Sequence, residues 1–190
     1  MKMASGGAPL VALEPEDEAA AVAAVKAFAR VSLSDDDGVI ADAVTAAIGL
    51  AERFTGQVMI CRTVTVGVAA SREWRCLPVR PVAAISEVAG IGGDGVATAM
   101  PSSAYAIDID ASGDGYVRVT APGPLTRLDV TVSAGMAADW ASVPMVVRQG
   151  VVMLATHLID QRDAAAAPPA AVSALWRPFR RIAIGGECGR

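Results

Sequence analysis

Aromatic side chains are scarce in this sequence: Phe, Trp and Tyr make 4% of its 190 residues, although 53% are hydrophobic. Most of the apolar content is Ala and Val, so a core must be built from small side chains. Histidine is nearly absent, and His157 is the one imidazole base available to a Ser or Cys nucleophile. Cys61, Cys76 and Cys188 are odd in number and lack the paired spacing of a metal site, which predicts free thiols in a reducing compartment. A membrane span of roughly 18 apolar residues is missing, because Val151 to Ile159 is short and His157 interrupts it. No basic excess exists either: 16 Lys and Arg face 20 Asp and Glu, a net charge of −4. That balance argues against a domain that grips phosphates and suits one that lets nucleic acid pass without holding it. The opening MKMASGGAPLVALEPEDE has one lysine, a short apolar patch and then four acids. It is not built as a secretory signal, and synthesis in the bacterial cytoplasm is expected.

Several stretches imitate functional motifs without their context. Gly90-Ile91-Gly92-Gly93-Asp94-Gly95 spells the dinucleotide-binding G-x-G-x-x-G, but that chemistry needs a helix N-terminus to hold the pyrophosphate. Val96 to Pro101 follows instead, strand-like and stopped by proline, so a hairpin is predicted. Asp108-Ile109-Asp110-Ala111-Ser112-Gly113 resembles the start of a calcium loop, yet its twelfth position is Val119 where a bidentate Glu should close the shell. Asp35-Asp36-Asp37 reads as the acidic start of a helix, where the dipole favours negative charge. His157, set among apolar residues, is expected to pack or hydrogen-bond at an interface. No catalytic, cofactor-binding or metal-ligating set remains, and an enzyme is not predicted.

What is present is a sequence of patterns. Residues 1–12 read as a flexible tail. A helix over 15–30 opens with acids and carries Val22, Val25, Phe28 and Ala29 on one face. A second, over 36–54, turns Ile40, Val44, Ala47, Ile48 and Ala51 inward and ends at Thr55-Gly56. From 57 to 133 the period becomes two, with strands expected at about 58–68, 74–77, 83–89, 96–100, 105–109, 116–120 and 128–133. Turn clusters separate them without intervening helices, which predicts an antiparallel meander. Pro144 then starts the most apolar helix, 143–163, where Val147, Val151, Leu154 and Leu158 recur at helical spacing. Its apolar surface is too wide for one face, so cover from neighbouring elements or subunits is expected. Residues 164–190 form an Ala/Pro linker and a tail with Trp176, Arg177, Phe179, Arg180 and Arg181. The predicted class is α+β: helices at both ends packed around a small antiparallel β-sheet, a connector domain over 13–163 and an extended C-terminal tail.

The order and spacing of these segments resemble the HK97-type head–tail connector (adaptor) family of tailed phages, in its longer branch. The resemblance is carried by Ala51-Glu52-Arg53-Phe54-Thr55-Gly56, Leu77-Pro78-Val79-Arg80-Pro81-Val82, Tyr105-Ala106-Ile107-Asp108 and Val130 to Gly135. Leu154-Ala155-Thr156-His157-Leu158 and Val172 to Arg180 continue it, so that residues 10–181 are covered. It implies a structural protein of the particle neck that forms a homo-oligomeric ring, a dodecamer, beneath the portal protein. The ring would extend the DNA channel without sequence-specific contact and meet a stopper or tail-terminator protein. Ala, Val, Gly and Arg usage suggests a high-GC host, and a gene transfer agent is an equal candidate for the particle. Under this resemblance Val147, Val151, Leu154 and Leu158 would serve the core and ring, and Trp176, Arg177, Phe179, Arg180 and Arg181 the portal interface. The alternatives are a stopper or tail-completion protein, and a small ligand- or ion-binding domain.

Overall fold

The structure is a computed structural model that describes residues 13–31, 35–120, 123–160 and 168–181. The expected segments 1–12 and 164–167, the last turn 161–163 of the long helix, the end 182–190 and Cys188 lie outside the described residues. Two compact units emerge: the strands, within Cys61–Met136, and the helices, from the described parts of Pro9–Ile60 and Ala137–Arg181. Helices at both ends of the chain with strands between them make the class α+β, as the patterns predict.

The helical unit holds α1 (Pro15–Ala29), α2 (Asp37–Thr55), α3 (Met145–Asp160) and α4 (Ala170–Trp176), the last running into a 3-10 turn over Arg177–Phe179. Its core holds most of the residues that helical periodicity selects, Val22 and Val25 from α1, Ile40, Val44, Ala47, Ile48 and Ala51 from α2, and Val147, Val151 and Leu154 from α3, whereas Phe28, Ala29 and Leu158 are exposed. Pro15 sits in the first turn of α1, where its missing N–H costs nothing. The acids at the helix starts do not act as side-chain caps. They bond across the unit instead. Asp37 pairs with Lys26 at 2.6 Å, and Asp17 accepts the backbone N–H of Trp140 at 2.7 Å. Gly56 closes α2 in the left-handed conformation (φ 70°), the C-cap read from Thr55-Gly56.

The strand unit differs from a single meander. One sheet has the order β1 (Arg62–Ala69), β7 (Leu125–Ala134), β3 (Val82–Gly92), β4 (Ala97–Ala99). The other has the order β2 (Arg75–Cys76), β6 (Gly115–Val119), β5 (Tyr105–Ile109). All named pairs are antiparallel, but β1 and β3 both flank β7, with Val66 and Val88 each opposite Val130. The reason is burial: Leu128, Val130, Val132 and Ala134 alternate inward along β7, and that strand can hide them only from the middle of a sheet. Arg80, ahead of β3, and Asp114, ahead of β6, form an ion pair at 3.2 Å. Cys76 is disulfide-bonded, which corrects the expectation of three free thiols, whereas Cys61 is free. An odd count hides a disulfide because nothing in sequence spacing says which thiols meet.

Candidate functional site

The two imitated motifs resolve as turns. The Gly90–Gly95 stretch ends β3 and turns into β4, with the N–H of Gly95 donating to the Gly92 carbonyl at 3.2 Å. Asp110 closes the turn between β5 and β6, its Oδ1 accepting the N–H groups of Ser112 at 2.8 Å and Asp114 at 2.9 Å. That carboxylate oxygen is therefore committed to the backbone. Among the described residues no group of three or more His, Cys, Asp or Glu could hold a metal ion. His157 is half-buried on α3, and its Nε2 is shut away from solvent without a hydrogen-bond partner among the described residues. No described helix is long and apolar enough to cross a membrane.

The remaining expected site residues, those of the long helix and the tail, share the helical unit. Val147, Val151 and Leu154 are buried, while Leu158 is 39% exposed. The tail segment does not hang free of these helices. Trp176 is 3% exposed and its Nε1–H donates to the Val147 carbonyl at 3.1 Å. Gly150 makes room for it: a Cβ at that position would overlap the indole ring. Phe54 tilts against the same indole with ring centroids 6.0 Å apart, and the Arg180 guanidinium lies 5.6 Å from the Phe54 ring centroid.

The end of α2 completes this anchorage. Its last carbonyls have no intrahelical partner, and Thr55 O accepts the N–H of Arg181 at 2.7 Å. Gln57 Nε2 donates to the Phe179 carbonyl at 2.5 Å. Glu52, buried although charged, accepts the Met59 N–H at 2.9 Å and fixes the chain as it leaves the helix. Arg177, Arg180 and Arg181 therefore stand exposed on a fixed backbone, with Arg53 exposed on α2 as well and Phe179 half-buried among them. The sequence points to Trp176 and the arginines but not to what receives their segment: Gly150, Phe54, Thr55 and Gln57. The one available signal was Gly150 itself, an interior helical glycine that costs about 1 kcal/mol relative to Ala and so points to close packing.

Ahead of α3, Asp139 Oδ1 accepts the Ser142 N–H at 2.7 Å. Hydrogen bonds from Ser142, helped by the more distant charge of Arg148, hold this exposed carboxyl below its ordinary value of 3.8. A carboxyl lowered by folding stabilises the fold above its unfolded-state value, and that contribution disappears as pH falls through the lower folded value. Asp139→Asn should therefore unfold at a lower temperature than the parent chain near neutrality. The gap should close below pH 3.8, as thermal melts at the two pH values will show.

No family model and no curated protein matches the chain. Solved structures do. A chain in the neck of an empty gene transfer agent particle, computed with C6 symmetry, is 24% identical with a TM-score of 0.70, covering 87% of this chain and 91% of that one. A chain in the virion of the native gene transfer agent particle is 24% identical with a TM-score of 0.71, covering 94% and 96%. A chain in the neck of the native particle, computed with C12 symmetry, is 26% identical with a TM-score of 0.67, covering 93% and 96%. The fold of this chain is the fold of those neck and virion chains of gene transfer agent particles.

Proposed function

We propose that this chain is a structural subunit of the neck of a phage-like particle, a gene transfer agent or a tailed phage. In that place it acts as a head–tail connector (adaptor) rather than an enzyme. Copies form a ring beneath the portal protein, extend the DNA channel and give the stopper or tail-terminator protein a platform. The observation that carries this reading is the near-complete fold match to chains of gene transfer agent necks, one of them computed with C12 symmetry. A closed ring of identical subunits is the usual outcome of a head-to-tail contact whose rotation closes. The net charge of −4 suits a channel wall that must not retain its DNA.

The portal-facing surface of this reading is the fixed arginine group Arg177, Arg180 and Arg181 with Phe179, which Trp176 supports from beneath. Exposed cations on an ordered backbone lose little conformational entropy on binding and suit an acidic surface on the portal. Reversing all three charges in particle-producing cells should leave DNA-filled heads without tails, counted by negative-stain microscopy. Tailed particles at parental yield would remove the portal role. A reconstruction that placed the ring one layer below the portal would make the chain a stopper instead.

A further inference from the structure

Two apolar surfaces of the helical unit lack cover among the described residues, and they differ in shape. The first is a groove of about 180 Å³ in which Ala24 and Phe28 of α1 face Met145, Gln149 and Val152 of α3. Phe28 is 49% exposed and Met145 is 75% exposed. Arg148 lines the same groove and makes no ion pair among the described residues. The second surface is the outward side of α2. Val39, Ala43, Ala46 and Leu50 recur at spacings of four, three and four, which places them on one stripe away from buried Ile40, Val44, Ala47, Ile48 and Ala51. Val39 is 59% exposed and Leu50 is 45% exposed. Asp42, exposed on the flank of this stripe, is also without an ion pair among the described residues.

We infer that the α2 stripe of one copy seats in the α1–α3 groove of the next copy, with Asp42 meeting Arg148 across the contact. The chemistry is complementary: a narrow ridge of Val, Ala and Leu fits a groove edged by Phe and Met, and each side brings one charge of opposite sign that makes no ion pair among the described residues, Arg148 feeling only the more distant charge of Asp139. Because ridge and groove are different patches, the contact is heterologous. Repetition of such a contact builds rings or filaments rather than two-fold dimers. The inference deepens the ring reading above and rests on it.

The test uses the full chain in particle-producing cells. With a photo-crosslinking benzoylphenylalanine in place of Leu50, irradiation of purified particles should join it to residues 24–28 or 145–152 of a second copy. Asp42→Arg or Arg148→Asp alone should lower the yield of tailed particles about tenfold, and the two together should restore it to within about threefold. Asp42 is exposed, so the melting temperature of purified Asp42→Arg should stay at the parental value. Crosslinks to another neck protein, or a double variant no better than either single one, would overturn the ridge-in-groove contact while leaving the neck assignment standing. Absence of the chain from purified particles would sink the neck assignment and this contact together.

Discussion

Trp176→Ala is expected to lower the unfolding free energy of the helical unit by about 4 kcal/mol, the usual scale for emptying a buried aromatic site. The indole is 3% exposed and donates to Val147, and its ring contacts reach Phe54. In a chain of 190 residues such a loss corresponds to a drop of about 10 °C in Tm, read from the helical circular dichroism signal. Its partner substitution changes sign with context. Gly150→Ala in the parent chain forces a methyl group into the indole; overpacking of about 2 kcal/mol outweighs the roughly 1 kcal/mol gained in helix propensity. In the Trp176→Ala background the methyl group finds space, and Gly150→Ala should stabilise by about 1 kcal/mol. A coupling of roughly 2 kcal/mol in this double-mutant cycle would measure the Gly150–Trp176 contact. Additivity of the two substitutions would remove Trp176 from its place on α3.

The consequence reaches the proposed role. If the indole is the anchor, Trp176→Ala should release Arg177 to Arg181 from their fixed geometry and cost tailed particles even where the protein stays folded. A binding surface of charged side chains depends on a supporting layer that locks their backbone. The sequence predicts an extended tail; its described part is folded onto the helical unit through α4 and the Thr55–Arg181 bond. Preorganisation of this kind lowers the entropy lost on docking.

How far the sequence could be read follows from the range of the interactions involved. Helices α1, α2 and α3 were legible because a repeat of 3.6 residues in Val, Ile, Leu and Ala is a local signal, and the inward residues of α2 were named correctly. Strand β5 appears at Tyr105–Ile109 as expected, between turns that Gly and Asp announce. The division into two sheets was not legible. The pairing of β1 with β7 joins residues about as far apart as Thr65 and Thr131, and period-two alternation says which face is buried but not which strand lies beside it. The exposed half of α3 illustrates the same limit. An apolar excess was visible in Met145, Val146 and Leu158, whereas the groove that Met145 shares with Phe28 required α1 and α3 to be placed side by side. Val39 and Leu50 stand out as an exposed apolar stripe only once Ile40, Val44, Ala47, Ile48 and Ala51 are seen to fill the inward face of α2.

Glu52→Ala is expected to cost about 3 kcal/mol, because a backbone N–H bonded to a buried carboxylate would lose its acceptor and stay out of reach of water. Glu52 Oε1 takes the Met59 N–H at 2.9 Å, and Met59 is 1% exposed, so solvent cannot replace the bond without opening the turn. That turn directs the chain out of α2 through Val58, Met59 and Ile60, all buried, and lies beside the Thr55–Arg181 bond that holds the tail. Glu52→Gln retains an acceptor oxygen of nearly the same reach and should lose only about 1 kcal/mol. Urea unfolding of the two variants, compared at equal m-value, separates an acceptor role from a general intolerance of change at this site. Equal losses for Ala and Gln would mean that the charge of Glu52, rather than its position as an acceptor, is what the helix end requires.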